Sequence, residues 1–154
     1  MALVLAFGLA IVQTVVPLVG AQKGWSGWMA MAVPAASLQF LLIAASFAAL
    51  TYSFVNSDFS VRLVALNSHS AKPMLYKISG VWGNHEGSML LWVLIVALFG
   101  AMASWFGGGL PPKLKARALG VQASIGVAFL AFILLPSTPF LRLAQPPFDG
   151  QDLN

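Results

Sequence analysis

The chain has 154 residues, 59% hydrophobic and 8% charged, with a mean hydropathy of +0.86 and a formal net charge of +4. So few charges cannot cover a water-soluble surface, which ordinarily carries about 25% charged residues, so a soluble globular domain is excluded. There is no cysteine, which rules out disulfides and thiolate chemistry, and the sparse cations lack the dense basic face of a nucleic-acid binder.

Four apolar runs match the ~20 residues that cross ~30 Å of hydrocarbon as a helix. At that depth every backbone N–H and C=O must pair within its own segment, so the runs are read as helices. The expectation is one membrane domain over residues 1–154, all-α and polytopic, with about four transmembrane helices and one longer external loop. Span one covers residues 2–20. No charge precedes Lys23, so the basic start of a signal peptide is missing and the run reads as a retained helix. Gln13 and Thr14 fall mid-span and Pro17 near its end. Residues 21–27 read as a short turn.

Span two covers residues 32–55. Trp25 and Trp28 precede it as interfacial aromatics, and Pro34 suits its first turn. The external loop, residues 56–87, carries Asp58, Arg62, His69, Lys72, Lys77, His85 and Glu86. Residues 59–66 (FSVRLVAL) suit an extended or an interfacial segment, and the pattern leaves both open. Residues 67–73 (NSHSAKP) form a turn by composition, and residues 75–87 lie along the membrane surface or begin the next helix. Span three covers 88–106, stopped by three glycines and Pro111–Pro112; span four covers 118–135, ended by Pro136. The polar tail, 136–154, is expected outside.

Orientation follows from the basic residues. The two short loops hold Lys23, Lys113, Lys115 and Arg117 with no acid. The other side holds Arg62, Lys72, Lys77 and Arg142, balanced by Asp58, Glu86, Asp149 and Asp152. The short loops concentrate their cations beside span ends, which places them in the cytoplasm. Both termini and the 56–88 loop then lie outside.

The segment VWGNHEGSMLLW, residues 81–92, carries the chain's single Glu and single His–Glu pair at the mouth of span three. If it is helical, Trp82, His85, Met89 and Trp92 fall on one stripe, with Glu86 at its edge. Gly83 and Gly87 leave the neighbouring surface open. Trp faces would stack on a flat aromatic ligand, and the imidazole would hold a metal or a carboxylate. Arg62, Lys72 and Lys77 on the same side would meet anionic groups. The plainer alternative makes Trp82 and Trp92 belt residues and His85–Glu86 a helix-start pair favoured by the helix dipole. His69 sits among Ser and Asn with nothing to position it. Asp149 and Asp152 flank Gly150 but offer too few oxygens for a calcium site, and they read as turn carboxylates. GGGLPPK follows no strand and is a turn, and the six methionines share no stripe. No metal site emerges, and no residue is singled out as catalytic. Small residues in span two (Ala44, Ala45, Ser46, Ala48, Ala49) and span four (Gly120, Ser124, Gly126) suit close helix packing with further helices.

WGNHEGSMLLWVLIVALFGA, residues 82–101, resembles the signature of the cytochrome c-type biogenesis family CcmF. YSFVNSDFSVRLVALNS (52–68) resembles the family's lead into its external loop, and PFDGQDLN (147–154) its segment before a further helix. The resemblance runs in order along essentially the whole chain. It implies the haem lyase component of a cytochrome c maturation system. That component takes haem from the chaperone CcmE and promotes its thioether bonding to apocytochrome c on the periplasmic side, with other maturation subunits. It implies a bacterial inner membrane, or a mitochondrial inner membrane if the source is organellar. It also implies a haem-facing or supporting surface at Trp82, Gly83, His85, Glu86 and Trp92, with Arg62 or Lys77 meeting haem propionates. The family is several times longer, and its tryptophan-rich motif and haem-ligand histidines lie further along. The expectation is therefore an N-terminal portion that does not complete haem ligation alone. Two alternatives stand beside it: a structural helix-packing subunit, and a small transporter or channel subunit. The second is disfavoured because the spans hold no ionisable residue.

Overall fold

The computed structural model describes residues 1–151, which form seven helices. They are α1 (Ala2–Lys23), α2 (Ser26–Ala30), α3 (Ala32–Val55), α4 (Arg62–Asn67), α5 (Met74–Gly80), α6 (His85–Phe106) and α7 (Pro112–Leu134). Four helical segments are long and apolar enough to cross a membrane, the second running through α2 and α3. Only about a third of each span's most apolar window is buried within the bundle (28–33%), so most of that hydrocarbon faces outward. That distribution suits a lipid solvent, and the chain is an all-α membrane protein.

The four long helices close a ring: α1 packs on α7 and α3, and α6 packs on α3 and α7. α6 and α7 run antiparallel, since His85 meets Phe132 while Val96, further along α6, meets Gln122, earlier in α7. Ile43, Leu50, Phe54, Leu90, Val93, Leu130 and Ile133 fill one continuous core. Small residues set the spacing. A Cβ at Gly120 would strike Leu18, and one at Gly126 would approach Gln39 Nε2 to 3.1 Å. Three glutamine amides enter this interior. Gln13 Nε2 donates to Leu119 O at 3.4 Å and Gln122 Nε2 to Val96 O at 3.0 Å, joining helices where water cannot compete.

The structure corrects several sequence expectations. The first helix continues to Lys23, because Ala21, Gln22 and Lys23 all tolerate a helix. Gly24 then ends it in the left-handed region (φ 74°) with Trp25 N–H donating to Gly20 O. The expected turn over 21–27 is thus mostly helix, and α2 follows at once. The fourth long helix begins at Pro112, since proline at a first helical position loses no bond. Residues 59–66 are extended only briefly, at Val61, and are helical from Arg62. Val61 forms an isolated antiparallel bridge with Arg142, and α4 starts directly after it. Within residues 75–87 the next long helix does begin, at His85, as one of the two alternatives had it. These residues comprise α5, a turn, and the first residues of α6.

Candidate functional site

The end of the bundle that carries α4, α5 and the tail is built on backbone pairing. Arg62 N–H donates to Leu141 O and Leu143 N–H to Ser60 O, each at 2.8 Å. Gln151 N–H donates to Ala65 O at 2.8 Å. These bonds draw the tail across the loop. Between α5 and α6 lies the His–Glu turn, organised by Asn84. Its backbone is extended (φ −126°, ψ 167°), so it ends the turn that follows α5 and caps α6. Its Oδ1 accepts from Gly87 N–H at 2.7 Å, while its Nδ2 donates to Gly80 O at 2.8 Å. One side chain therefore satisfies an orphan donor of α6 and an orphan carbonyl of α5. Gly87 is buried against this turn, where a Cβ would run into the Val81 carbonyl. At Gly83 a Cβ would lie 3.4 Å from Ser79 O, at ordinary contact distance, so no clash demands glycine there.

Because α6 begins at His85, Trp82 stands outside it, and the stripe expected from Trp82 through Trp92 is broken at Asn84. His85, Met89 and Trp92 do share one face of α6. Trp92 lies about 10 Å further along the helix axis than His85, at 1.5 Å per residue. Trp82 and Trp92 are exposed, 43% and 62%. The His85 ring is exposed and meets Phe132 of α7 edge-on, centroids 5.9 Å apart. Met89, Phe129 and Phe132 line a shallow apolar recess beside it. Glu86 sits half-buried in the first turn of α6, where the helix dipole favours its charge.

Of the two cations matched to anionic groups, Arg62 is exposed at the start of α4. Lys77 turns inward instead: the residue is buried and its ammonium donates to Ser57 Oγ at 2.6 Å. Ser57 holds a left-handed conformation (φ 54°) to present that oxygen. Lys77 thus ties α5 to the end of α3 rather than facing outward.

Sequence reasoning assigned nothing to a second cluster, formed by residues 79 positions apart. Asp149 accepts from Ser70 N–H at 2.9 Å through Oδ1 and from the Ser70 hydroxyl through Oδ2. Gly150 N–H donates to the same carboxylate at 2.7 Å. His69 Nε2 lies 3.4 Å from Asp149 Oδ2, and its Nδ1 accepts from Ala71 N–H at 3.1 Å. That second bond fixes the neutral tautomer with its proton at Nε2, facing the carboxylate. The Ser70 hydroxyl and amide above all, then Gly150 and His69, hold the Asp149 carboxyl below the ordinary aspartate value. Asp149 is therefore a latch between tail and loop rather than a simple turn carboxylate. Asp152 lies outside the described residues.

The opposite end carries the short connections. Lys115 Nζ donates to Ser104 O at 2.7 Å, closing the end of α6, and Lys23 Nζ sits 4.7 Å from the Trp25 ring centre. Trp105 Nε1 donates to Ser37 Oγ at 2.8 Å. Trp25, Trp28 and Trp105 are exposed at this end, as Trp82 is at the other.

No family model matches the chain. It is 69% identical over 153 residues to the cytochrome c-type biogenesis protein ccl1 of Rhodobacter capsulatus, covering 99% of this chain and 23% of that protein. It is 50% identical over 155 residues to the cytochrome c-type biogenesis protein CcmF of Pseudomonas aeruginosa, covering 100% of this chain and 24% of that one. Among solved structures it matches a cytochrome c haem lyase CcmF with a TM-score of 0.85 and 27% identity, over 90% of this chain and 23% of that chain. The resemblance carried by the WGNHEGS segment therefore extends along the whole chain. The chain spans about a quarter of the length of the relatives it matches.

Proposed function

We propose, from the full-length likeness to cytochrome c-type biogenesis proteins, that this chain is a membrane module of a cytochrome c maturation system. Its part is to support covalent attachment of haem to apocytochrome c. The observation that carries the reading is the match over 99% of the chain at 69% identity to such a protein. On this reading the α4–α5–tail end faces the periplasm, across the inner membrane from the short basic turns. Haem and apocytochrome c are substrates handled by the larger assembly, with the haem chaperone CcmE delivering the former.

Within the module, the exposed rim at Trp82, His85, Glu86 and Trp92 is the surface we assign to that work, with Arg62 available to a propionate. His85 is the imidazole free to face a ligand, since His69 is engaged at both nitrogens by Ala71 and Asp149. One free imidazole with no thiol does not perform the ligation. The module orients, and the rest of the system supplies thiols and further ligands. Lys77, tied to Ser57, serves the fold of this rim rather than the substrate.

The edge contact between His85 and Phe132 favours one competing reading, in which the segment only packs helices. Replacing His85 and Trp82 by Ala separates the two in cells that depend on this chain. Haem-stained cytochrome c and the amount of membrane-inserted chain are measured together. The proposal expects haem attachment to fall severalfold while the chain remains inserted. Loss of both in parallel supports the packing role, and retention of both refutes the assigned surface.

A further inference from the structure

A recess of about 360 Å³ opens between the start of α1, from Met1 to Leu3, and the C-terminal half of α3, at Ala45, Ser46 and Ala49, with Phe140 and the Arg142 rim closing it. We propose that it binds one acyl chain of an anionic phospholipid, whose headgroup is held by Arg142. This goes beyond the maturation role and does not depend on it.

The floor is suited to hydrocarbon. Between Ala45 and Ala49 the one polar side chain, Ser46, already donates to Leu42 O at 2.9 Å, so that hydroxyl is engaged. Ala45 and Ala49 lie one helical turn apart and leave the trough that larger residues would fill. Ala45 lies ten residues from the end of α3 at Val55, about 15 Å along the axis. That is half of the ~30 Å hydrocarbon core, the depth of a single leaflet. The occupant is thereby a chain standing in one leaflet.

The rim selects charge. Arg142 is rooted by its bridge to Val61, so its backbone position is fixed. Its side chain makes one long bond, Nη1 donating to Ser60 Oγ at 3.4 Å. No carboxylate among the described residues lies within ion-pair distance of it. A guanidinium with donors to spare, at the membrane boundary above an apolar trough, matches a phosphate ester bidentately.

The test is native mass spectrometry of the purified chain in detergent, titrated with phosphatidylglycerol, phosphatidylcholine or inorganic phosphate. Wild type should retain phosphatidylglycerol about tenfold better than phosphatidylcholine, the weight of one charge-assisted hydrogen bond. R142Q should reduce the preference severalfold while R142K keeps most of it. Ala45→Phe should reduce retention of both lipids. Arg142 is exposed, so its variants keep the fold, which helical circular dichroism checks. Equal retention of the two lipids, a preference undiminished in R142Q, or displacement of phosphatidylglycerol by inorganic phosphate would each overturn the proposal.

Discussion

Gly87 and Gly83 look alike in the sequence, yet the structure gives them opposite weights. Gly87 has no room for a Cβ against the Val81 carbonyl, whereas Gly83 meets only ordinary contacts. Gly87→Ala should destabilise the chain by about 1–3 kcal/mol, the usual range for forced overpacking. Gly83→Ala should stay within about 0.5 kcal/mol. Denaturant titration in mixed micelles, followed by helical circular dichroism, reads both. The Asp149 latch carries a pH dependence whose sign follows from its lowered pKa. The folded carboxyl binds its proton less readily than the unfolded one. Its contribution is therefore full above the ordinary aspartate range and is lost as pH falls through the lowered folded value. Protection of the Ser70, Gly150 and Gln151 amides, taken relative to intrinsic exchange at each pH, should fall on acidification below about pH 4. In Asp149→Asn that acid-dependent loss of protection should vanish. Protection that stays constant across this pH range in the parent chain would dismiss the latch.

At the scale of elements, close approach of backbones decides how the helices dock. A Cβ at Gly20 would come within 2.7 Å of Trp28 Cβ and 3.0 Å of Met29 N, so α2 folds back onto α1 only because residue 20 is glycine. Gly20→Ala should push α2 outward and shift Trp25 and Trp28 emission, with a loss of about 1–3 kcal/mol. Unchanged emission would show that α2 is not held there. The spans themselves were legible, because apolar length is a local property. Their ends were less so. Pro112 starts α7 where a proline also reads as a stop, and Lys23 extends α1 because only the left-handed Gly24 ends it. Asn84 was readable in principle, as an Asn ahead of an apolar run, and it explains why Trp82 falls outside the His85 stripe. The Ser70–Asp149 contact was not readable, since no local pattern links residues 79 positions apart.

For the whole molecule, a ring of four apolar helices presents two unlike ends. One is compact, basic and bordered by Trp25, Trp28 and Trp105. The other carries α4, α5, the tail and the His85–Glu86 rim. The likeness to cytochrome c-type biogenesis proteins gives that asymmetry a use, with the built-up end as the proposed working face toward the periplasm. Since the chain has no cysteine, single cysteines report sidedness cleanly. Ala71 is exposed on the loop and Gly108 in the opposite turn, where a Cβ meets nothing within 4 Å. With a membrane-impermeant maleimide on intact spheroplasts, Ala71→Cys should label at once and Gly108→Cys only after lysis. Labelling in the reverse order, or equal labelling of both before lysis, would contradict the placement of His85 and Glu86 at the outer face.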